Sequence, residues 1–391
     1  MIDQFRGENL LYSELSEAMS YQFNEVNLAL YLIGHHGHWN DFIRDARVIQ
    51  RVSFEKQVPV TYLFSGIQLD KMADARGSIQ NDLWFDFIGA MQGGHFINPR
   101  VSYSDAHKPE LGIMPYNHIP LVQPFGEQTW ADYFNGILRD QVLWAKGVAE
   151  QKYHRTPVSI HPPDGIYSPA AAHCLKNCGL DNVVVSGEYL GGNRHAKGLL
   201  YWASGLRHVM RSNDIQIQDS RFYNARDFVN AVESYGHENN MPFVTVGCDI
   251  DEFNGMRGMS LHDGVARLCC VGEEVLSRGG RVKMVNINAA AHWNMYQTGI
   301  EQVWPWNNVY SMINGNGDLG FMDSGRNAEI GHVVWLIGER YRQGWDGGTI
   351  AFAKHCLLEA ADAACRNSWC SGPLTGYYQD RIGQARHVLQ G

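Results

Sequence analysis

The feature that most constrains the fold is a repeated alternation between strand-length apolar runs and segments with helical periodicity. The apolar runs lie at 27–36, 58–64, 94–101, 157–161, 182–186, 215–218, 243–248 and 282–287. Helix-patterned segments separate several of them, as at 130–151, 169–178 and 225–235. Strands joined through helices pair in parallel by right-handed crossovers, and continuous apolar strands are buried on both faces. The pattern therefore predicts an α/β fold, either a barrel or a doubly wound sheet.

Three polar clusters distinguish between these two architectures. The segments HHGHW, HPPDG and CDIDE begin at His35, His161 and Cys248, each at or directly after the end of a predicted strand. In α/β barrels the functional side chains gather at the carboxyl ends of the strands. The clusters therefore favour a barrel whose functional end is the place where these three segments meet.

The domain organisation follows from the length and from a change of pattern near residue 323. With 391 residues the chain is longer than the roughly 200–250 residues of a single α/β barrel. Beyond residue 323 the pattern is helical, as in AEIGHVVWLIGERY and TIAFAKHCLLEAADAACRN. We predict an N-terminal helical lead-in at 1–24, a barrel domain at 25–322 and a C-terminal helical region at 323–391.

The charge of the chain limits its partners. The formal net charge is −9, from 41 acidic against 32 basic residues, and there is no basic cluster with which to bind nucleic-acid phosphates. No apolar stretch approaches the roughly 20 residues needed to cross a bilayer. The opening segment MIDQFRGENLLYSELSEAM carries acidic residues where a secretory signal is basic. We predict a cytoplasmic protein that binds neither nucleic acid nor membrane; its oligomeric state stays open, a homo-oligomer included.

Two acidic segments are candidate catalytic centres. In SIHPPDGIYS two prolines stiffen the turn that carries Asp164. In VGCDIDEFNG strand geometry places Asp249 and Asp251 on one face and Glu252 on the other. Crowded carboxylates raise one another's pKa, as a general acid requires. Structural interpretations stay open, because Asp164 could cap the helix that follows and the second segment could be a solvated acidic loop.

Histidines supply a third group of candidate side chains. His36 and His38, flanked by Trp39, have the i, i+2 spacing that lets both face one pocket, where they would bind sugar hydroxyls or a metal. His118 lies between prolines in MPYNHIPLVQPF, a loop for which a scaffolding role is the stronger interpretation from the sequence alone.

A fourth segment, MRSND, combines charged and polar side chains ahead of the predicted strand at 215–218. It contains Arg211 and Asp214, the second of which is a further candidate carboxylate. Taken alone, the segment favours a structural role over a functional one.

In order and at compatible spacing, these segments resemble the motifs of glycoside hydrolase family 57 over roughly residues 26–290. His36 and His38 in HHGHW fall where the family has its His-x-His-x-Pro strand end, although Asn40 or Asp41 replaces the proline. His118 in YNHIPLVQP matches the family's Tyr-x-His-Pro-x-x-Pro loop, with Pro120 one place late. IHPPDGIYS resembles the Trp-x-Pro-Glu-x-x-Tyr element, which carries the nucleophile. CDIDEFNG resembles the Asp-x-Glu-x-Phe-Gly element, which carries the general acid, and VMRSNDIQIQ is similar to an Arg-Asn/Asp stretch of the family.

The resemblance implies an incomplete parallel (β/α)7 barrel with a C-terminal helical region. It also implies a retaining α-glycosidase or transglycosidase that acts on an oligo- or polysaccharide and needs no cofactor. Asp164 then corresponds to the nucleophile and Asp249 to the general acid and base. The predicted substrate-binding residues are His36, His38, Trp39, His118, His161, Arg211, Asp214 and Asp251.

Two other functions stay open at this point. A metal-dependent carbohydrate deacetylase would hold its ion with His36, His38 and an aspartate, although the paired acidic motif and the His-x-x-x-His spacing of such enzymes are missing. A catalytically inactive sugar-binding barrel is the second, because Asp164 stands where family 57 has a glutamate that is longer by one methylene. We predict no metal site.

Overall fold

The architecture of the chain is given by a computed structural model. It describes residues 25–34, 48, 50–74, 106–117, 121, 133–163, 167, 170–186, 200–203, 205–212, 215–217, 224–239, 241–250, 261–293, 324–360 and 373–391. The predicted lead-in at 1–24 and the predicted strand at 94–101 lie outside these residues.

Strands and helices alternate along most of the described chain. The strands are β1 (Val26–Gly34), β2 (Thr61–Phe64), β3 (Glu110–Ile113), β4 (Ser159–Ile160), β5 (Asn182–Ser186), β6 (Leu200–Ala203), β7 (Leu206–Arg211), β8 (Phe243–Asp249) and β9 (Val282–Val285). The α-helices are α1 (Gly66–Asp74), α2 (Arg139–Tyr153), α3 (Ala170–Asn177), α4 (Ala225–Glu238), α5 (Leu261–Ser277), α6 (Ile287–Trp293), α7 (Ser324–Arg342), α8 (Gly347–Ala360) and α9 (Pro373–Gln390). Two π-helical segments occur at Gln50–Glu55 and Tyr133–Leu138, and the second runs directly into α2.

Seven parallel strands form a barrel that is nearly closed. The strand order is β7, β5, β4, β3, β2, β1, β8, and each neighbouring pair in this order is parallel. The two ends of the order meet where the Ser212 amide, just after β7, donates to the Thr245 carbonyl of β8 at 2.8 Å. The predicted seven-stranded α/β barrel, followed by C-terminal helices, is therefore confirmed.

The remaining two strands extend the barrel at its seam and at its amino end. β6 pairs with β7 in antiparallel orientation. β9 pairs with Val26–Ala29 of β1, whereas β2 pairs with the later residues Tyr31–Gly34 of the same strand. β8 pairs with β1 over Asn27–Ile33, so β9 and β2 share the opposite edge of β1. The short helix α6 directly follows β9 at this end of the barrel.

Alternation along the strands separates two apolar layers. In β1, Leu28, Leu30 and Leu32 belong to the large core between the barrel and its helices. Ala29, Tyr31 and Ile33, which alternate with them, belong to a second cluster with residues of β2, β5, β7, β8, β9 and α6. This second cluster fills the barrel interior, as expected for strands buried on both faces. Each fully buried leucine stabilises the fold by roughly 1.5–3 kcal/mol.

The amino end of the barrel interior is closed by a buried polar network. Glu110, the first residue of β3, is 1% exposed and accepts hydrogen bonds from Thr61 Oγ1 (3.0 Å), Ser159 Oγ (2.5 Å) and the Asn288 amide (2.9 Å). The Asn182 side-chain amide donates to Ser159 Oγ at 3.1 Å and to Asn288 Oδ1 at 3.0 Å. Four of these residues begin β2, β3, β4 and β5, and Asn288 lies in α6. The network therefore ties four strands to α6.

Burial raises the pKa of Glu110 above the ordinary value of a glutamate, while the hydrogen bonds from Ser159, Asn288 and Thr61 oppose the shift. Desolvation disfavours the charged form of any buried carboxyl group. Because a buried polar atom that loses its partner costs about 1–3 kcal/mol, the hydrogen bonds that Glu110 accepts are important for stability.

A glycine in the middle of β8 makes room for an aromatic ring inside the barrel. Tyr31 and Gly247 are partners in the β1–β8 register. A Cβ atom on Gly247 would lie 1.9 Å from the Tyr31 ring, which is far closer than any real contact. Tyr31 is 1% exposed, so the ring fills the interior of the barrel between the polar network and the carboxyl end.

Most predicted strands are found, with shifted ends. β5 has the predicted bounds, β8 ends one residue later than predicted, and β2 begins at Thr61 rather than at Val58. The predicted strand at 215–218 is wrong for 215–217, which are not in a strand. The strand of this region is β7, which begins nine residues earlier at Leu206 and was not predicted because charged residues interrupt its apolar pattern.

The C-terminal helices pack against one another and against the barrel. The Leu358 carbonyl of α8 accepts hydrogen bonds from the side-chain amides of Asn117 and Gln141, the second at 2.8 Å. Asn117 lies four residues after the end of β3, and Gln141 lies in the first turn of α2. α8 therefore contacts the barrel where β3 ends. In the part of the chain that the structure describes, no helix is long and apolar enough to cross a membrane.

Candidate active site

Three of the predicted site residues are described, and all three lie at the carboxyl ends of barrel strands. Asp249 is the last residue of β8, Arg211 is the last residue of β7, and His161 directly follows β4. Since parallel strands have their carboxyl ends at the same end of a barrel, these side chains belong to one end of the molecule.

Strand alternation also assigns the three side chains to the inner face. Asp249 is the register partner of Ile33, which lies in the interior cluster. Arg211 lies two residues after Val209, a member of the same cluster, and so shares its face of β7. His161 lies two residues after Ser159, whose hydroxyl belongs to the polar network inside the barrel. Because neighbouring side chains on parallel strands share a face, all three side chains point toward the barrel axis.

His161 is held in place by its backbone and by Tyr31. The His161 amide donates to the Ile113 carbonyl at 3.0 Å, which continues the β3–β4 pairing by one residue. Its ring centroid lies 5.5 Å from that of Tyr31, with an interplanar angle of 39°. His161 is only 5% exposed. The imidazole therefore packs on the tyrosine ring for which Gly247 provides space.

The described residues nearest to Asp164 in the sequence, Pro163 and Tyr167, are both buried, and Tyr167 is 3% exposed. The Tyr167 backbone forms a parallel β-bridge with Leu121, and its hydroxyl lies 2.8 Å from His208 Nε2. Burial raises the pKa of the Tyr167 hydroxyl. Pro163 and Tyr167 are therefore held in place before and after the predicted nucleophile, Asp164, in the sequence.

The other predicted site residues lie outside the described part of the chain. They are His36, His38, Trp39, His118, Asp164, Asp214 and Asp251. Their roles stay predictions, as do the roles of the three described residues. One local expectation is corrected: Arg211 was expected ahead of a strand, but it ends β7, which brings it to the same end of the barrel as Asp249.

Two residues near the candidate site were not singled out in the sequence. Tyr31 lies within an apolar run and resembles any core residue, and Gly247 resembles a strand interruption. A glycine inside a strand does indicate a close approach of another group, which is the signal that was available. Among the described residues, no group of three or more His, Cys, Asp or Glu side chains is suited to hold a metal ion.

The chemistry at this end combines a carboxylate, an imidazole and a guanidinium group. A carboxyl group at a strand end can exchange a proton with a substrate, whereas imidazole and guanidinium groups donate hydrogen bonds to hydroxyl oxygens. This set of groups suits acid–base chemistry on a polyhydroxylated substrate.

No protein-family model and no curated protein sequence matches this chain. Solved structures do share its fold. A 4-alpha-glucanotransferase from Thermococcus litoralis has a TM-score of 0.65 at 11% identity, over 93% of this chain and 60% of that one. The novel alpha-amylase of Thermotoga maritima has a TM-score of 0.63 at 10% identity, over 94% and 92% of the two chains.

A third similar structure is a GH57 branching enzyme from the hyperthermophilic archaeon Thermococcus kodakaraensis. Its TM-score is 0.60 at 13% identity, over 94% of this chain and 88% of that one. GH57 is the family whose motifs the sequence resembles, so the predicted likeness is confirmed at the level of the fold. The chain spans 60% of the length of the glucanotransferase, so the activity of that whole protein is not transferred with the fold.

Proposed function

We propose that this chain is a retaining α-glycosidase or transglycosidase that acts on an oligo- or polysaccharide, with α-linked glucan as the first substrate class to test. One observation carries the proposal: Asp249 ends β8 on the inner face of a barrel whose fold is shared with three enzymes of glucan chemistry over 93–94% of the chain. The order of the sequence motifs supports the same function, because each motif accompanies a strand end.

In the proposed first step, a carboxylate oxygen of Asp164 attacks the anomeric carbon while the bond to the leaving oxygen breaks. Asp249 donates its proton to that oxygen, so the aglycone leaves as a neutral alcohol. In the second step Asp249 removes a proton from water or from a sugar hydroxyl. The resulting oxygen nucleophile attacks the anomeric carbon and releases Asp164.

The described residues have separate proposed roles around this chemistry. Arg211 and His161 donate hydrogen bonds to sugar hydroxyls. The predicted contacts from His36, His38 and His118 are proposed to complete the binding of the ring that reacts. Retaining chemistry requires the two carboxyl groups about 5–5.5 Å apart. Since Asp164 is shorter than glutamate by one methylene, this spacing requires its backbone to approach the sugar more closely.

Trapping of the covalent intermediate tests the proposal. The intact protein is incubated with a panel of activated fluoro-glycosides and measured by mass spectrometry, beside Asp164→Ala and the exposed control Asp263→Ala. We expect a glycosyl adduct on the wild type and on the control, and none on Asp164→Ala. Peptide mapping then assigns the adduct to Asp164.

Failure to trap an adduct would favour one of the two alternative functions. If the folded wild type forms no adduct across the panel but releases acetate from acetylated sugars in an EDTA-sensitive reaction, the metal-dependent interpretation replaces this one. If the wild type shows neither reaction and Asp164→Asn binds sugars with unchanged affinity, the inactive sugar-binding barrel replaces the proposed glycosidase.

A further inference from the structure

A cavity lies between the helices that surround the barrel and the C-terminal helices. It has a volume of about 400 Å³ and is bounded by the π-helical segment ahead of α2, the first turn of α2, α7 and α8. We call it the helix pocket. Its size falls within the range of about 300–1,000 Å³ that small-molecule sites occupy.

The helix pocket lies at the same end of the barrel as Asp249. α2 follows β3 and precedes β4, so it runs antiparallel to the strands and begins at their carboxyl ends. The hydrogen bonds from Asn117 and Gln141 to the Leu358 carbonyl fix α8 there, and Leu358 itself lines the pocket. A ligand in the helix pocket is therefore at the same end of the barrel as the candidate active site, on the outer side of the strands.

Two glycines that face the pocket keep it open. Gly136 belongs to the π-helical segment and Gly338 to α7, and both line the cavity. A Cβ atom on Gly136 would meet nothing within 4 Å, and one on Gly338 would meet only the end of Arg342 at 4.0 Å. Larger side chains would therefore project into empty space. The absence of side chains at both positions leaves the cavity unfilled.

The lining combines apolar walls with a polar rim. The walls include the side chains of Ile137, Ile337, Ile350 and Leu357. At the rim, Tyr341 of α7 is 75% exposed. An exposed tyrosine beside apolar walls presents a flat ring together with a hydroxyl group that can donate or accept.

A charged pair crosses the same cavity. Lys354 Nζ of α8 lies 3.2 Å from Asp140 Oδ2 of α2, and the two side chains are 47% and 28% exposed. Exposed pairs of this kind add little to stability. They do present ammonium donors and carboxylate acceptors side by side, with no net charge between them, which suits a neutral ligand that has neighbouring hydroxyl groups.

We infer that the helix pocket binds a second stretch of the α-glucan chain, at a site separate from the one where bonds are made and broken. The inference rests on the proposed function for its choice of sugar. The apolar C–H faces of a glucose unit pack on Tyr341 and the walls, and its hydroxyl groups exchange hydrogen bonds with Asp140 and Lys354. An anionic ligand is disfavoured because the charge of Asp140 neutralises that of Lys354. A purely apolar ligand would form no hydrogen bonds with this pair.

Photo-crosslinking of an oligosaccharide tests this site. Maltoheptaose with a photoreactive diazirine at its reducing end is irradiated with the full-length protein, and the labelled peptides are mapped by mass spectrometry. Gly338→Leu fills the pocket. Gly331→Leu is the matched control, because Gly331 lies on the same helix, has nothing within 4 Å of a built Cβ and does not line the pocket.

We expect labelling of peptides that contain 133–140 or 324–342, competed by unlabelled maltoheptaose. The labelling should fall about tenfold or more in Gly338→Leu and stay unchanged in Gly331→Leu. Tyr341→Ala, an exposed position, serves as a second variant if Gly338→Leu does not fold, and it should lower the labelling in the same direction.

Labelling that is unchanged in Gly338→Leu and Tyr341→Ala overturns the helix-pocket site. So does labelling confined to peptides around Asp249, and in that case the proposed function stands. Absence of label from every peptide, together with a failed fluoro-glycoside trap, overturns both the pocket and the proposed function. Absence of label with a successful trap overturns the pocket alone.

Discussion

The two ends of the barrel interior use polar residues in different ways. At the amino end, the first residues of four consecutive strands form one hydrogen-bonded network around Glu110 together with Asn288. At the carboxyl end, Asp249 and Arg211 terminate their strands on the same inner face. In barrels the amino end generally serves stability and the carboxyl end function. The comparison leads us to expect that location along the strand, rather than residue type, separates the structural polar groups from those proposed to act on substrate.

The largest effect on stability should come from the amino end. Glu110→Ala leaves three hydrogen-bond donors without their acceptor and creates a cavity beside α6. We expect a loss of about 3 kcal/mol or more in the free energy of unfolding, measured by urea denaturation. A loss below about 1 kcal/mol would contradict the structural role of this end.

The middle layer should be sensitive to added volume. Gly247→Ala brings a Cβ atom to 1.9 Å from the Tyr31 ring, so the ring must move. Overpacking of this kind costs about 1–3 kcal/mol in unfolding free energy. The double variant Gly247→Ala/Tyr31→Leu provides the control, because a smaller residue at 31 should recover part of the loss. If the loss in the double variant equals the sum of the losses in Gly247→Ala and Tyr31→Leu measured singly, the contact between the added Cβ atom and the Tyr31 ring is not the cause.

Two arginines on one strand allow the sharpest comparison of the ends. Arg207 and Arg211 lie on the same face of β7, near the amino and carboxyl ends. Burial lowers the pKa of Arg207. We expect Arg211→Met to raise KM for maltoheptaose by about tenfold, which is about 1.4 kcal/mol, with little change in stability. Arg207→Met should leave KM unchanged. A raised KM in Arg207→Met together with an unchanged KM in Arg211→Met would contradict the different roles of the two ends.

The last prediction concerns the dependence of stability on pH. The pKa of Glu110 is raised in the folded protein, so the folded state keeps its proton where the unfolded state has lost it. The free energy of unfolding should therefore fall as pH rises from the ordinary glutamate pKa, about 4.5, to the raised one, and level off above it.

This dependence on pH belongs to the carboxyl group of Glu110. Glu110→Gln should lack this component, so the difference between the two proteins across the pH series isolates it. A difference that is independent of pH would show that Glu110 does not titrate as described.

The sequence predicts the continuous apolar strands well and the interrupted ones poorly. NVVVS predicts β5 without error, and FVTVGC predicts β8 to within one residue, because most side chains of such strands are apolar and prefer burial. LRHVMR was missed, since Arg207 and Arg211 break the apolar pattern although the strand is part of the barrel. The polar network was missed for a related reason: Glu110 is satisfied by Ser159 and Asn288, whose proximity depends on the closed barrel.

The positions of Asp249 and His161 at strand ends were predicted from the sequence, whereas their contacts were not. The polar clusters after predicted strands correctly indicated one end of the barrel for Asp249 and His161. The tilted ring contact between His161 and Tyr31 was not predicted, because it depends on the glycine opposite Tyr31 in the next strand. The roles of these residues depend on a substrate and stay predictions.

One measurement tests directly whether Asp249 is the general acid. It asks how the single-turnover rate of the Asp249→Ala variant depends on the leaving group of the substrate. Two substrates are compared in single turnovers: maltoheptaose, whose leaving oxygen needs a proton, and dinitrophenyl α-glucoside, whose leaving group does not. A general acid predicts a loss of about 10²–10⁴-fold for maltoheptaose. It also predicts first-turnover release of dinitrophenol within about tenfold of the wild type. Equal losses for both substrates in a folded variant, or no loss for either, would contradict the assignment of Asp249.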